Sequence, residues 1–160
     1  MAEKAVLALG SNIGNGKEHL DDAVKALGLV PGITVTAVSR YYITKPWGYT
    51  AQADFTNACC EVETTLSPEA LLGVCLGIEA GFGRIREFRN GPRIIDIDLL
   101  MYADEKRDTE ELKLPHPGIK ERDFVLLPLS DLAKDGFVLG LDVRAALKDL
   151  GEPVPTVLTE

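Results

Sequence analysis

Residues 33–65 read ITVTAVSRYYITKPWGYTAQADFTNACCEVETT. Two runs rich in β-branched side chains, 33–43 and 55–65, are separated by a loop of turn-forming residues, TKPWGYTAQAD. The pattern predicts two consecutive strands, antiparallel to each other. On the N-terminal side, KAVLALG (4–10) is a short apolar strand closed by Gly10, and Leu20, Val24 and Leu27 recur at helical spacing over 17–28, with Gly28 as a stop. On the C-terminal side, Ser67-Pro68-Glu69 is a helix start, a capping hydroxyl followed by proline at the first helical position. Leu71, Cys75, Ile78 and Phe82 then share one helical face, and RIIDIDLLMY (93–102) supplies a fourth strand. The order is β-α-β-β-α-β. It predicts an α+β, ferredoxin-like fold: a four-stranded antiparallel sheet with two helices on one face. At 160 residues the chain is expected to be a single domain, with this core at about 4–102 and an appendage at about 103–160. The appendage holds a possible short strand, LKLPH, an apolar segment, DFVLLPLSDLA, and an amphipathic stretch, DVRAALKDL.

Net charge is −8, which argues against nucleic acid or an anionic membrane as partner. No apolar run is long enough to span a bilayer, and MAEKAVLALGSN is not signal-like. A cytoplasmic location is expected. Cys59 and Cys60 are adjacent and Cys75 stands alone, so neither a CxxC pair nor an even disulfide set exists; reduced core thiols are expected.

Against this acidic background, Arg84, Arg86, Arg89 and Arg93 fall within ten residues in GRIREFRNGPR, punctuated by glycine and proline. A solvated loop is the bland reading. The segment, however, runs straight into Asp96 and Asp98, two carboxylates inside an apolar strand. Residues i and i+2 of a strand share a face, so the acids project together while Ile95, Ile97 and Leu99 point the other way into the core. Held about 7 Å apart, the acids repel unless a cation lies between them. Arg93 is one candidate and a divalent metal is the other. Mg²⁺ prefers hard oxygen ligands, commonly one or two carboxylates completed by substrate phosphates. Arginines, paired acids and Mg²⁺ together describe a polyphosphate site. The familiar phosphate cradles are missing: Gly16-Lys17 is followed by Glu18, with Ser11 five positions before Gly16, and His19 stands where a dinucleotide fingerprint needs glycine.

Five blocks carry a resemblance: ALGSNIG (8–14), Y-x-T-x-P-W-G (42–48), DFTNA (54–58), GRIREFRNGPRIIDIDLL (83–100) and LPHPGIKERDFVLLPL (114–129). In order and spacing the chain resembles the 6-hydroxymethyl-7,8-dihydropterin pyrophosphokinases of folate biosynthesis over about residues 4–130. The resemblance implies an enzyme that moves the β,γ-diphosphate of ATP onto a pterin alcohol with two Mg²⁺ ions, and a monomer is expected. It implies Asp96 and Asp98 as magnesium ligands and Arg84 and Arg93 as catalytic-loop arginines. Glu79, Arg86, Leu99, His116 and Arg122 are implied at the ATP site, and Thr44, Lys45, Trp47, Phe55, Asn57 and Phe124 at the pterin. Trp47, Asn90 and Pro117 depart from residues found in some members, and the arginine loop is one residue shorter; these differences bear on loop closure and ATP-side contacts.

The residue chemistry agrees with those roles. Phe55 and Phe124 offer faces for a flat heterocycle, and Asn57 can read its edge. Taken singly, each has a plainer reading: core aromatics, a loop histidine at 116, a solvated Glu79 on a helix rim, a surface connection at 44–53. The loops 44–53 and 84–93 are expected to close over the substrates. Another two-metal enzyme, a nuclease or nucleotidyl transferase, would also use the acids and arginines, but it leaves Thr44, Phe55 and Asn57 without a role. A non-catalytic ligand-binding module would not need Arg84 and Arg93 beside two acids.

Overall fold

The computed structural model of the chain describes residues 2–44, 53–82, 94–151 and the backbone of 156–157. The expectations placed on Lys45, Trp47, Arg84, Arg86 and Arg93, and the departure at Asn90, lie outside the described residues.

Strand β1 (Glu3–Ser11) is the centre of the sheet. It pairs antiparallel with β4 (Phe55–Thr64) on one side and with β5 (Asp96–Tyr102) on the other. Beyond β4 lie β2 (Ile33–Val38) and β3 (Tyr42–Thr44), both antiparallel to it. A two-residue strand near the C-terminus, Thr156–Val157, adds to the outer edge of β3. The order across the sheet, with β5 and β4 flanking β1, is that of the ferredoxin-like arrangement expected from the sequence.

Two helices cover one face. Helix α1 (Gly16–Leu29) is capped by Asn15, whose side chain accepts from the Glu18 amide at 3.1 Å. Helix α2 (Pro68–Gly81) is capped by Ser67, whose Oγ accepts from Ala70 at 3.1 Å. Leu20, Ala23 and Leu27 from α1 and Leu71 and Cys75 from α2 are fully buried against Ala5, Leu7, Leu9, Ile97 and Leu99 of the sheet. Ile78 and Phe82 are only partly buried at the rim of this core.

The run expected as one strand over 33–43 is two. At Ser39 the ladder to β4 ends: the Ser39 amide still donates to the Cys59 carbonyl at 2.9 Å, but the return bond from the Cys59 amide goes to Ser39 Oγ, also at 2.9 Å. The next amide, Arg40, is taken at 3.0 Å by the Asp131 carboxylate from the far end of the chain. A register shift between Val35 and Ala37 precedes the break.

Residues 119–150 form a second layer, whereas Leu112 and Leu114 join the first core. Helix α3 (Asp123–Leu132) packs on the face of the sheet opposite α1 and α2, and helix α4 (Val143–Leu150) packs against α3. Val125, Leu126, Leu129, Val143 and Ala146 close over Val6, Cys59, Leu100 and Met101. The apolar segment 123–133 is therefore helix α3, and the stretch 142–150 is α4 with its Asp142 cap. Of LKLPH, only Lys113–Leu114 is strand, paired with Arg107–Asp108. Among the described residues no helix is long and apolar enough to cross a membrane.

Candidate active site

Asp96 and Asp98 project to the same side of β5, while Ile97 and Leu99 are buried on the other. The expectation from strand period holds. In the antiparallel register Asp96 stands opposite Gly10 and Asp98 opposite Ala8, and Gly10 in turn stands opposite Asn57 of β4. One row of the sheet thus reads Asn57, Gly10, Asp96. Between the amide and the carboxylate the floor is a glycine, so the two functional side chains face each other over backbone. Neighbouring strands are about 4.8 Å apart, which puts the Asn57 and Asp96 backbones about 10 Å from each other.

Gly10 is required there. A β-carbon at this position would fall 2.7 Å from Asn57 Oδ1 and 3.6 Å from the Phe55 ring. Asn57 is buried, and its Nδ2 donates to Thr44 Oγ1, also buried. With the amide nitrogen committed to Thr44, the carbonyl oxygen lies across Gly10. Thr44, Phe55 and Asn57 are thereby brought together as one corner. A strand glycine often marks such a close approach, and this was the available sequence signal for Gly10, read there only as a strand end.

The far wall comes from the segment leading into α3. His116 is tied to β5 by its amide, which donates to the Leu100 carbonyl at 2.8 Å. Its Nδ1 accepts from the Gly118 amide at 3.0 Å. Burial is the chief cause holding its pKa below 6.5; the Arg122 charge adds to this and Asp96 opposes it. The ring is therefore neutral near pH 7. With Nδ1 as acceptor, the tautomer that fits carries its proton on Nε2, a donor for a phosphate or base acceptor. Arg122 places its guanidinium 5.8 Å from the centre of the Phe124 ring. Gly118 makes room, since a β-carbon on it would fall 2.8 Å from Arg122 Nε.

Glu79 is not a solvated rim residue. It is 2% exposed, and its Oε2 accepts from the Ile97 amide at 2.7 Å. The carboxylate straps helix α2 to the outer edge of β5, between the two acids. Leu99, two residues on from Ile97, presents its own amide on that same edge by the alternation of an antiparallel strand, just before the register with β1 shifts. Its side chain is buried at 3% exposure, so any contact to a planar base runs through its backbone. A cavity of about 340 Å³ lies along this edge, bounded by Glu79, Asp96, Asp98, Leu99 and His116, with Leu72, Leu76 and Pro117 as apolar walls. Glu110, Glu111 and Lys113 also border it; nothing in the sequence distinguished them from an ordinary charged turn.

Among the described residues no group of three or more His, Cys, Asp or Glu side chains stands ready to hold a metal by itself. Two carboxylates on one face are instead the donor set of an ion that completes its shell with water and substrate oxygens. The donor chemistry fits Mg²⁺.

The profile of the 7,8-dihydro-6-hydroxymethylpterin-pyrophosphokinase family matches residues 6–134. The 2-amino-4-hydroxy-6-hydroxymethyldihydropteridine pyrophosphokinase of Methylorubrum extorquens is 50% identical over 147 residues, covering 92% of this chain and 93% of that protein. The enzyme of the same name from Bacillus subtilis is 45% identical over 130 residues, covering 81% of this chain and 78% of that one. Among solved structures, a Plasmodium falciparum HPPK-DHPS triple mutant with STZ-DHP superposes with a TM-score of 0.72 at 15% identity, over 93% of this chain and 43% of that one. The wild-type Plasmodium falciparum HPPK-DHPS gives 0.68 at 16% identity, over 93% of this chain and 45% of that one. This chain spans less than half the length of those two, and their likeness is one of fold.

Proposed function

Because the chain belongs to the 7,8-dihydro-6-hydroxymethylpterin-pyrophosphokinase family, we propose that it transfers the β,γ-diphosphate of ATP to 6-hydroxymethyl-7,8-dihydropterin. The products are the pterin diphosphate and AMP. In the step, the pterin hydroxyl oxygen bonds to the β-phosphorus, the bond from that phosphorus to the α,β-bridging oxygen breaks, and the hydroxyl proton leaves to solvent.

The observation that carries this reading is the row Asn57, Gly10, Asp96, because it sets a heterocycle-reading amide beside paired phosphate-side acids on one bare stretch of sheet. Thr44, Phe55, Asn57 and Phe124 take the pterin: the amide and hydroxyl meet its edge, and the rings meet its faces. Glu79, the Leu99 backbone, His116 and Arg122 take the nucleotide along the β5 edge, His116 donating from Nε2 and Arg122 as a forked donor. Asp96 and Asp98 would hold two Mg²⁺ ions, which when bound supply neutralisation of the triphosphate charge. From the family pattern, Arg84 and Arg93 steady the transferring phosphoryl groups, and Lys45, Trp47 and Arg86 complete the two substrate sites. The chain offers no nucleophile of its own to this step, so positioning and fixed charge account for the rate.

The test is AMP release from ATP and Mg²⁺, with and without the pterin alcohol. AMP that depends on the pterin supports the reading. AMP release indifferent to the pterin, polynucleotide cleavage, or binding without AMP overturns it.

A further inference from the structure

Asp131 sits in the last turn of α3, where the helix dipole disfavours an acid, so the helix itself does not explain it. Its surroundings do. Oδ2 accepts from the Arg40 amide at 3.0 Å and from Arg40 Nε at 3.2 Å; Oδ1 accepts from Arg40 Nη2 at 2.9 Å. The Tyr42 hydroxyl lies 3.0 Å from each carboxylate oxygen. Arg40 Nη2 also donates to the Tyr42 hydroxyl at 3.1 Å, and its guanidinium lies 5.7 Å from the centre of that ring. Tyr42 is 3% exposed and the Asp131 side chain 15%, so the fork is shielded from water on one side.

This knot joins two elements about ninety residues apart, and both carry pterin-side groups. Tyr42 opens β3 and lies opposite Asn57 in the ladder; two residues on, Thr44 receives the Asn57 amide. At the other end of α3, seven residues or about 10 Å of helix from Asp131, is Phe124. The remaining contacts of α3 with the sheet, through Val125, Leu126 and Leu129, are apolar and non-directional, apart from one long bond from Cys59 Sγ to the Val125 carbonyl at 3.8 Å. A forked, charge-assisted pair fixes direction as well as distance.

We propose that Asp131 is a positioning residue for the pterin half of the site, latching α3 to β3 so that Phe124 stands at a set distance from the Thr44–Asn57 corner. The inference rests on the pterin reading above. On the nucleotide side, Glu79 and His116 are held independently of this latch, Glu79 strapped to β5 and His116 hanging from the Leu100 carbonyl; only Arg122, at the start of α3, stands on the latched helix.

The experiment is steady-state kinetics of Asp131→Asn and Tyr42→Phe, with each substrate varied in turn. In Asp131→Asn the KM for the pterin alcohol rises about tenfold, the size of one lost charge-assisted hydrogen bond, and the KM for ATP, which draws only Arg122 from the latched helix, rises less, by about threefold at most. Tyr42→Phe gives the same split in smaller measure, and the double variant is no worse than Asp131→Asn, because both act through one knot. Asp131→Glu, which keeps the charge, recovers part of the pterin KM. Equal rises in both KM values alongside a lowered Tm would reduce Asp131 to a stabilising contact and overturn the proposal, as would an unchanged pterin KM. If Asp131→Asn does not fold, Tyr42→Phe decides by the same split. A wild-type protein without pterin-dependent AMP release overturns the underlying reading instead, and with it this one.

Discussion

Gly10 lies directly under the Asn57 amide, and a β-carbon on it would fall 2.7 Å from Oδ1. The clash is with a buried side chain already bonded to Thr44, so relieving it pulls Asn57 away from that partner. Gly10→Ala is expected to fold, since β1 keeps its ladder on both sides. Its pterin affinity should fall at least about tenfold, the cost of displacing one buried amide from its partner. Calorimetric titration with the pterin alcohol in the presence of a non-hydrolysable ATP checks this; unchanged affinity would remove Asn57 from the pterin corner.

Asp96 and Asp98 share a face without serving the core, whose apolar side belongs to Ile97 and Leu99. Asp96→Ala or Asp98→Ala should therefore lower kcat by at least about a hundredfold, with Tm little changed. The comparison is of turnover and thermal melting on the same preparations. Normal turnover in either variant would contradict the assignment of these acids to the metal.

The three thiols predict inertness. Cys59, Cys60 and Cys75 are buried and unpaired in disulfides. Burial pushes Cys60 and Cys75 up to about 12 and raises Cys59 as well. The thiolate is the reactive form, so a thiol reagent at pH 8 should label none of them in the native protein and all three once it is unfolded. Fast labelling of native protein would mean that the core opens at one of these positions.

His116 sets a pH dependence. Its folded pKa lies below its ordinary 6.5, chiefly through burial. As pH falls through 6.5 the unfolded chain takes up the proton first, so the contribution of His116 to stability is full above 6.5 and is lost toward its lower folded value. Tm measured from pH 7.5 down to 5.5 should drop more in the wild type than in His116→Gln. Parallel curves would show that the ring is not held neutral by its setting.

The parts of the fold legible in the sequence were those governed by local period. Leu20 and Leu27, the Ser67 cap, and the alternation through Asp96 and Asp98 all act within one element, though Ala23 is fully buried where Val24, read as the third core position of α1, is only partly so. The break at Ser39–Tyr41 was not legible, because the group that captures the Arg40 amide, Asp131, comes from the opposite end of the chain. Taken singly, Glu79 reads as a solvated helix-rim acid for the same reason: its partner, the Ile97 amide, lacks a strand partner among the described residues because β5 ends the sheet. The helical state of 123–132 was hidden by an interior proline, Pro128, and by apolar residues on more than one side. In the site, the common face of the two acids followed from strand geometry, and the naming of Thr44, Asn57 and Phe124 followed from resemblance. The role of Gly10 followed from neither, since it depends on which side chain of the next strand crosses it.

The most direct measurement is ³¹P NMR of the products formed from ATP, Mg²⁺ and 6-hydroxymethyl-7,8-dihydropterin. The account predicts AMP and a pterin-linked diphosphate in equal amounts, with no ADP formed. ADP with a singly phosphorylated pterin, or AMP with free pyrophosphate and unchanged pterin, would contradict it.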